Sequence, residues 1–162
     1  MEELDDFTIG LHVGGRSISI KVIELLYNNA SSNWDKNWLR TKISVRAGAF
    51  SGTYDAELTT FDFENFKQDL DSLYENLNME IEFKDLEGYL SIKMKGNGLG
   101  NINVEIQCSD KPGVYASTLK FELDFDQTFI KPIVQKYYFQ ISCCRLLRME
   151  QLNLHCKTTK QE

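Results

Sequence analysis

The side chains of this chain that could do chemistry are its histidines, cysteines, tryptophans and carboxylates, and their spacing limits each. There are two histidines. His12 falls on the polar phase of an alternating run and His155 in a polar terminal stretch. Neither has a Cys, Asp or Glu at ligand or triad spacing, so a nucleophile would lack its base. Cys143 and Cys144 are adjacent, while Cys108 and Cys156 stand alone. Adjacent cysteines suit neither a CxxC ligand pair nor an ordinary disulfide, so the four read as reduced thiols of a cytoplasmic chain, with no zinc and no cofactor. The run Gly96-Asn97-Gly98-Leu99-Gly100 has the glycines of a phosphate cradle. A cradle must lead from a strand into a helix N-terminus, whereas this run joins two strands and lacks the Lys-Ser/Thr ending, which predicts a hairpin turn.

Carboxylates are the abundant functional group. From 55 to 87 the chain has eleven of them against Lys67 and Lys84, a formal −9 within a total of −6. The remaining residues therefore carry +3, and the molecule is polarised around an acidic middle. That balance argues against nucleic acid as a direct ligand, which needs clustered Lys and Arg. Two carboxylates could serve a hydrolase, but acids on the outer face of a helix more commonly form a solvated face or meet a partner.

The elements that must hold these groups are legible from alternation. Odd-numbered apolar residues from Ile9 to Val13 precede the turn Gly14-Gly15. A second strand over 17–25 changes phase between Val22 and Ile23, which predicts a bulge or burial of both faces. After a polar loop, Leu39, Ile43 and Val45 mark a third strand. A turn over 48–52 and a fourth strand through Tyr54, Ala56 and Leu58 follow. Phe63, Phe66, Leu70, Leu73, Tyr74 and Leu77 recur at spacings of three and four, predicting a helix over 61–77 capped by Thr60 or Asp62. Glu64, Gln68, Asp71 and Glu75 fall on its opposite face. Four more alternating runs follow, through Phe83, Ile92, Val104 and Leu123. A second helix over 128–147 has Phe129, Ile130, Ile133, Val134, Tyr137 and Ile141 as its stripe, with Pro132 favouring Thr128 over Asp126 as its cap. Clean alternation gives each strand one wet and one dry face. The expected fold is α+β: a single twisted, mainly antiparallel sheet of about eight strands with two helices packed on one face. Phe66, Leu70, Leu73, Ile92, Val104, Phe121, Leu123, Ile133, Val134 and Tyr137 should be buried. Residues 1–150 should form a single domain, with 151–162 a loosely held tail. No apolar run approaches the roughly 20 residues that span a bilayer. The acidic start Met1-Glu2-Glu3-Leu4-Asp5-Asp6 is unlike a secretion signal.

The most distinctive stretch is Trp34-Asp35-Lys36-Asn37-Trp38-Leu39. Gly48-Ala49-Phe50-Ser51-Gly52, Leu58-Thr59-Thr60, Phe83-Lys84-Asp85-Leu86-Glu87 and Phe125-Asp126-Gln127 follow in that order. Together they resemble the WapI-type immunity proteins, whose pattern has a W-D-x-N-W-L segment, an L-x-T helix start, an F-x-x-L-E strand end and a D-Q helix start. The resemblance implies a non-enzymatic inhibitor that neutralises the nuclease toxin encoded beside it. Its partner would be the toxin's C-terminal domain, with neither nucleic acid nor membrane bound directly. Trp34, Asp35, Asn37, Trp38, Asp126 and Gln127 have structural explanations as turn, cap and edge-packing residues. The acids placed to meet a basic nuclease are Glu64, Asp71 and Glu75 on the first helix, with Glu80 and Glu82 on the strand after it. Two alternatives remain: a small-ligand or peptide-binding domain using Trp34 and Trp38, and a carboxylate-based hydrolase.

Overall fold

The alternating runs of the first third fold into four consecutive strands joined by tight turns. The computed structural model describes residues 8–27, 31–32 and 34–136. β1 (Thr8–Val13), β2 (Arg16–Leu25), β3 (Trp38–Ala47) and β4 (Phe50–Thr59) form one antiparallel sheet in sequence order. The phase change in β2 is a bulge: the register with β3 shifts between Val22 and Glu24, and Ile23 is turned to solvent. The β3–β4 connection is shorter than the expected 48–52. Gly48 takes the left-handed conformation (φ 65°) and only Ala49 separates it from Phe50.

α1 (Thr60–Glu75) follows β4 without a loop. Its cap is Thr59, not Thr60 or Asp62. The Thr59 hydroxyl accepts from Asp62 N at 3.2 Å and the Asp62 carboxylate accepts from Thr59 N at 2.7 Å, a reciprocal capping box. Phe63, Phe66, Leu70 and Leu73 are buried as expected, whereas Tyr74 is half exposed at the edge of the stripe.

β5 (Glu80–Lys84), β6 (Leu90–Gly96), β7 (Asn101–Ser109) and β8 (Thr118–Asp126) form a second antiparallel sheet, again in sequence order. The eight strands are thus two sheets of four and not a single sheet. Alternation fixes which side of each strand is dry but not which neighbour it pairs with across an intervening helix. α1 uses that freedom to start a new sheet. One continuous apolar core joins both sheets and α1. Two hydrogen bonds tie the sheets at their margins: Tyr54 donates to the Tyr89 carbonyl at 3.1 Å, and Arg16 to the Glu122 carbonyl at 2.7 Å.

Gly96 is required by the packing of the segment after α1. A Cβ there would collide with the Leu77 carbonyl, whose oxygen accepts from Gly98 N. The Gly96–Gly100 run is the hairpin between β6 and β7, with the Asn97 side chain accepting from Leu99 N and Asn101 N.

The chain leaves β8 through a 3-10 turn, Gln127–Phe129, capped by Asp126 and not by Thr128. Asp126 accepts from Thr128 N at 2.9 Å. A second helix, α2, begins at 130 and is described as far as 136, placing Pro132 in its first turn. Ile130, Ile133 and Val134 are buried, while Phe129 is exposed with its ring 6.0 Å from that of Phe125. Every described member of the expected core is buried. Tyr137, Ile141, Cys143, Cys144, His155, Cys156, the remainder of the expected second helix and the expected tail over 151–162 lie outside the described residues.

Candidate partner-binding surface

The acids of α1 differ in what their neighbours leave available. Asp62 is committed to the capping box. Its carboxyl is pushed above the ordinary range, first by burial, against which the hydrogen bonds from Thr59 act. Asp71 is half-buried and paired with Lys67 at 3.4 Å, and Glu64 is half-buried. Glu75 is exposed at the last helical position.

Glu80 and Glu82 point to the other side of the second sheet. α1 covers the inner face of β5, where the rings of Phe63 and Phe66 lie 5.7 and 5.4 Å from that of Phe83. Because Glu80 and Glu82 alternate with Ile81 and Phe83, they stand on the outer face. Glu80 reaches Lys95 at 3.7 Å and Glu82 accepts from Ser91 at 3.0 Å, both at exposed positions. β5 is an edge strand. Glu80 and Glu82 therefore stand on the face of β5 opposite to the one that α1 covers, and the five acids expected at the site do not share a face.

The outer face of the second sheet mixes both signs, with Lys84, Lys93, Lys95 and Lys120 exposed among its acids. Cross-strand register sets Glu82, Lys93, Glu105 and Glu122 in one row. Glu105 and Glu122 are directly opposed, an arrangement that costs stability in an isolated sheet. Lys93, Glu105, Gln107, Lys120 and Glu122 line a shallow depression of about 260 Å3.

The tryptophan segment is tied to the start of α1. A 3-10 turn, Asp35–Asn37, follows Trp34. The buried Asn37 side chain donates to the Trp34 carbonyl at 3.3 Å and accepts from the Thr60 hydroxyl at 3.0 Å. Trp34, 54% exposed, stacks on Phe61 of α1 with ring centroids 5.2 Å apart and planes 20° from parallel. Trp38 is half-buried as the first residue of β3, opposite Thr59. At the end of β8, Gln127 N donates to the Gly100 carbonyl at 2.7 Å, beside the Asp126 cap.

One committed acid was hidden from sequence reasoning by its surroundings. Asp85 is 3% exposed, and its carboxylate accepts from the backbone N–H of Glu87, Gly88, Tyr89 and Leu90 at 2.6–3.1 Å. Four donors satisfy a buried carboxylate and fix the β5–β6 turn. Behind this turn the half-buried Tyr54 meets the buried Cys108. Burial pushes the Cys108 thiol up to about 11 against the lowering effect of its hydrogen bond with Tyr54, and Tyr54 is raised, chiefly by burial. Among the described residues, no group of three His, Cys, Asp or Glu side chains is placed to hold a metal ion, and no helix is long and apolar enough to cross a membrane.

The order of the motif pieces finds its counterpart at the level of the family. Residues 9–137 match the Immunity protein WapI-like family. The chain belongs to that family. No curated protein matches it significantly. Among solved structures, it is similar to WHY1 from Arabidopsis thaliana at 10% identity, over 100% of this chain and 97% of that one, with a TM-score of 0.49. It is similar to WHY3 from the same plant at 13% identity, over 83% and 85%, with a TM-score of 0.42. The plant transcriptional regulator PBF-2 is similar at 8% identity, over 99% and 90%, with a TM-score of 0.40. These likenesses are too distant to bear on function.

Proposed function

We propose that this member of the WapI-like immunity family is a non-enzymatic immunity protein of the cytoplasm. It binds and neutralises the nuclease-type toxin domain encoded beside it, using its acidic surface. Family membership over 9–137 carries this reading. The charge distribution supports it: an acidic middle segment, several of whose carboxylates are exposed at or beside the β5 edge. A nuclease that cleaves RNA holds phosphate in a basic cleft. Carboxylates offered to that cleft speed encounter by attraction and occupy the place of the substrate's phosphates.

Glu64, Asp71, Glu75, Glu80 and Glu82 are the proposed contacts. Glu75, Glu80 and Glu82 are exposed and meet the partner first, while Glu64 and Asp71 are half-buried. Trp34, Asp35, Asn37, Trp38, Asp126 and Gln127 serve the scaffold in this reading.

The test is protection of cells. Bacteria producing the neighbouring toxin domain survive when the wild-type chain is co-expressed. Glu64→Gln, Asp71→Asn and Glu75→Lys together lose that protection while the protein still folds. Death of cells carrying the wild-type chain would remove the immunity reading. Survival with the triple variant would remove only the assignment of these acids.

A further inference from the structure

Two neighbouring loops at one end of the second sheet present three exposed apolar side chains on hydrogen-bonded backbone, while Leu99 is exposed alone in the β6–β7 hairpin. In the β5–β6 turn, the four hydrogen bonds to Asp85 hold Leu86 outward at 65% exposure. In the β7–β8 loop, Val114 and Tyr115 are 93% and 86% exposed. That loop is closed at its base. Asp110 N donates to the Ser117 carbonyl at 3.2 Å, and the Asp110 carboxylate accepts from Ser117 N at 2.8 Å. Within it, Ala116 N donates to the Gly113 carbonyl at 3.3 Å. The two loops are neighbours, because the Tyr89 carbonyl accepts from Ser109 N at 2.9 Å as well as from Tyr54.

Leucine, valine and tyrosine exposed to this degree on loops that need no further ordering have the character of interface anchors. The loop backbone is already restrained, so burial in a partner costs mainly the ordering of the side chains themselves. Three exposed acids and one base, Lys111, flank these loops. Glu57, Glu87 and Asp110 are exposed, and Glu57 and Glu87 lie close enough to the Tyr89 hydroxyl to raise its pKa, after burial as the larger cause. Apolar side chains flanked by three acids and a single base fit an apolar recess whose rim is mainly basic.

We infer that Leu86, Val114 and Tyr115 form a docking tip that inserts into an apolar recess beside the basic cleft of the toxin domain. This rests on the immunity reading and adds to it an anchor distinct from the acids of α1 and β5. Anchors of this kind govern how slowly a complex dissociates, whereas exposed acids govern how quickly it forms.

The experiment compares the full-length wild-type chain with the variant Leu86→Ser, Val114→Ser, Tyr115→Ser, both binding the purified neighbouring toxin domain at fixed ionic strength. The expected result is a Kd raised about 30-fold or more, mainly through the off-rate, as for loss of hot-spot side chains. Thermal unfolding of the free variant should match the wild type, since all three side chains are in solvent. Hydrogen exchange of the wild-type complex should show new protection over 85–90 and 110–117. A variant that binds within about threefold of wild type, below the half-decade that 0.7 kcal/mol represents, would overturn the tip alone. So would an absence of new protection in those two segments. A wild-type chain that fails to bind the toxin domain would overturn the tip together with the immunity reading.

Discussion

The end of the first sheet where the chain enters α1 and the outer end of the second sheet use similar polar devices for opposite purposes. At the first, Asn37 bridges Trp34 and Thr60, Thr59 and Asp62 close the helix start, and Trp34 stacks on Phe61. Trp34, Asn37, Thr59, Thr60 and Asp62 each have an internal partner there. At the second, Asp85 and Asp110 also saturate the backbone, but the residues they hold out, Leu86, Val114 and Tyr115, lie in solvent. A segment rich in signature residues can thus be scaffold, while a plainer turn leaves its side chains available to a partner.

The comparison can be broken hardest at Asp85. Replacing it with Ala leaves four N–H donors without their carboxylate acceptor, those of the half-buried Tyr89 and the buried Leu90 included. The expected loss is about 3–5 kcal/mol of unfolding free energy in urea, with Asp85→Asn recovering part of it. A loss under about 1 kcal/mol, the worth of one ordinary hydrogen bond, would show that water replaces the carboxylate and that the turn is not stiff.

At the other end, Asn37→Ala removes two hydrogen bonds at a buried position. It should cost about 2 kcal/mol and leave affinity for the toxin domain unchanged. Reduced affinity with unchanged stability would reverse the roles assigned to the two ends. Thr59→Ala should cost about 1 kcal/mol, the ordinary worth of an N-cap. Amide hydrogen exchange should place the change at the start of α1, with no effect on binding.

A smaller effect is expected from the Tyr54–Cys108 pair behind the Asp85 turn. The folded Cys108 thiol titrates at about 11 and its ordinary value is 9.0. Between these values the unfolded chain releases the proton while the folded chain keeps it. The contribution of Cys108 to stability is therefore intact below about pH 9 and is lost as pH rises toward 11. Cys108→Ala should flatten that part of the alkaline decline in the unfolding midpoint. An identical alkaline slope in the variant would remove Cys108 from the explanation.

The strands and the first helix were legible because each buries one regular stripe. Ile92, Val104 and Leu123 alternate in the sequence as they do in the sheet, and Phe66, Leu70 and Leu73 keep helical spacing. The division into two sheets was not legible, because alternation carries no information on pairing across a 16-residue helix. Caps shifted for a local reason. Thr59 and Asp126 still have extended backbones, and only such a residue can turn its side chain back onto the next N–H groups. Acid content was legible but acid availability was not: Asp62 and Asp85 serve the backbone and Asp71 pairs with Lys67. Leu86, Val114 and Tyr115 gave no signal beyond apolar residues inside turn-rich segments, since exposure depends on which loops are brought together.

The central claim is that exposed carboxylates along the β5 edge steer a basic toxin domain. Its most direct test is the association rate of the purified toxin domain, measured against ionic strength, for the wild type and for Glu75→Lys with Glu80→Lys and Glu82→Lys. For the wild type the rate should fall steeply as added salt shortens the screening length toward about 10 Å at 0.1 M. The variant should associate about tenfold or more slowly at low salt, with a much weaker salt dependence. Equal rates and equal salt slopes for the two proteins would contradict the claim.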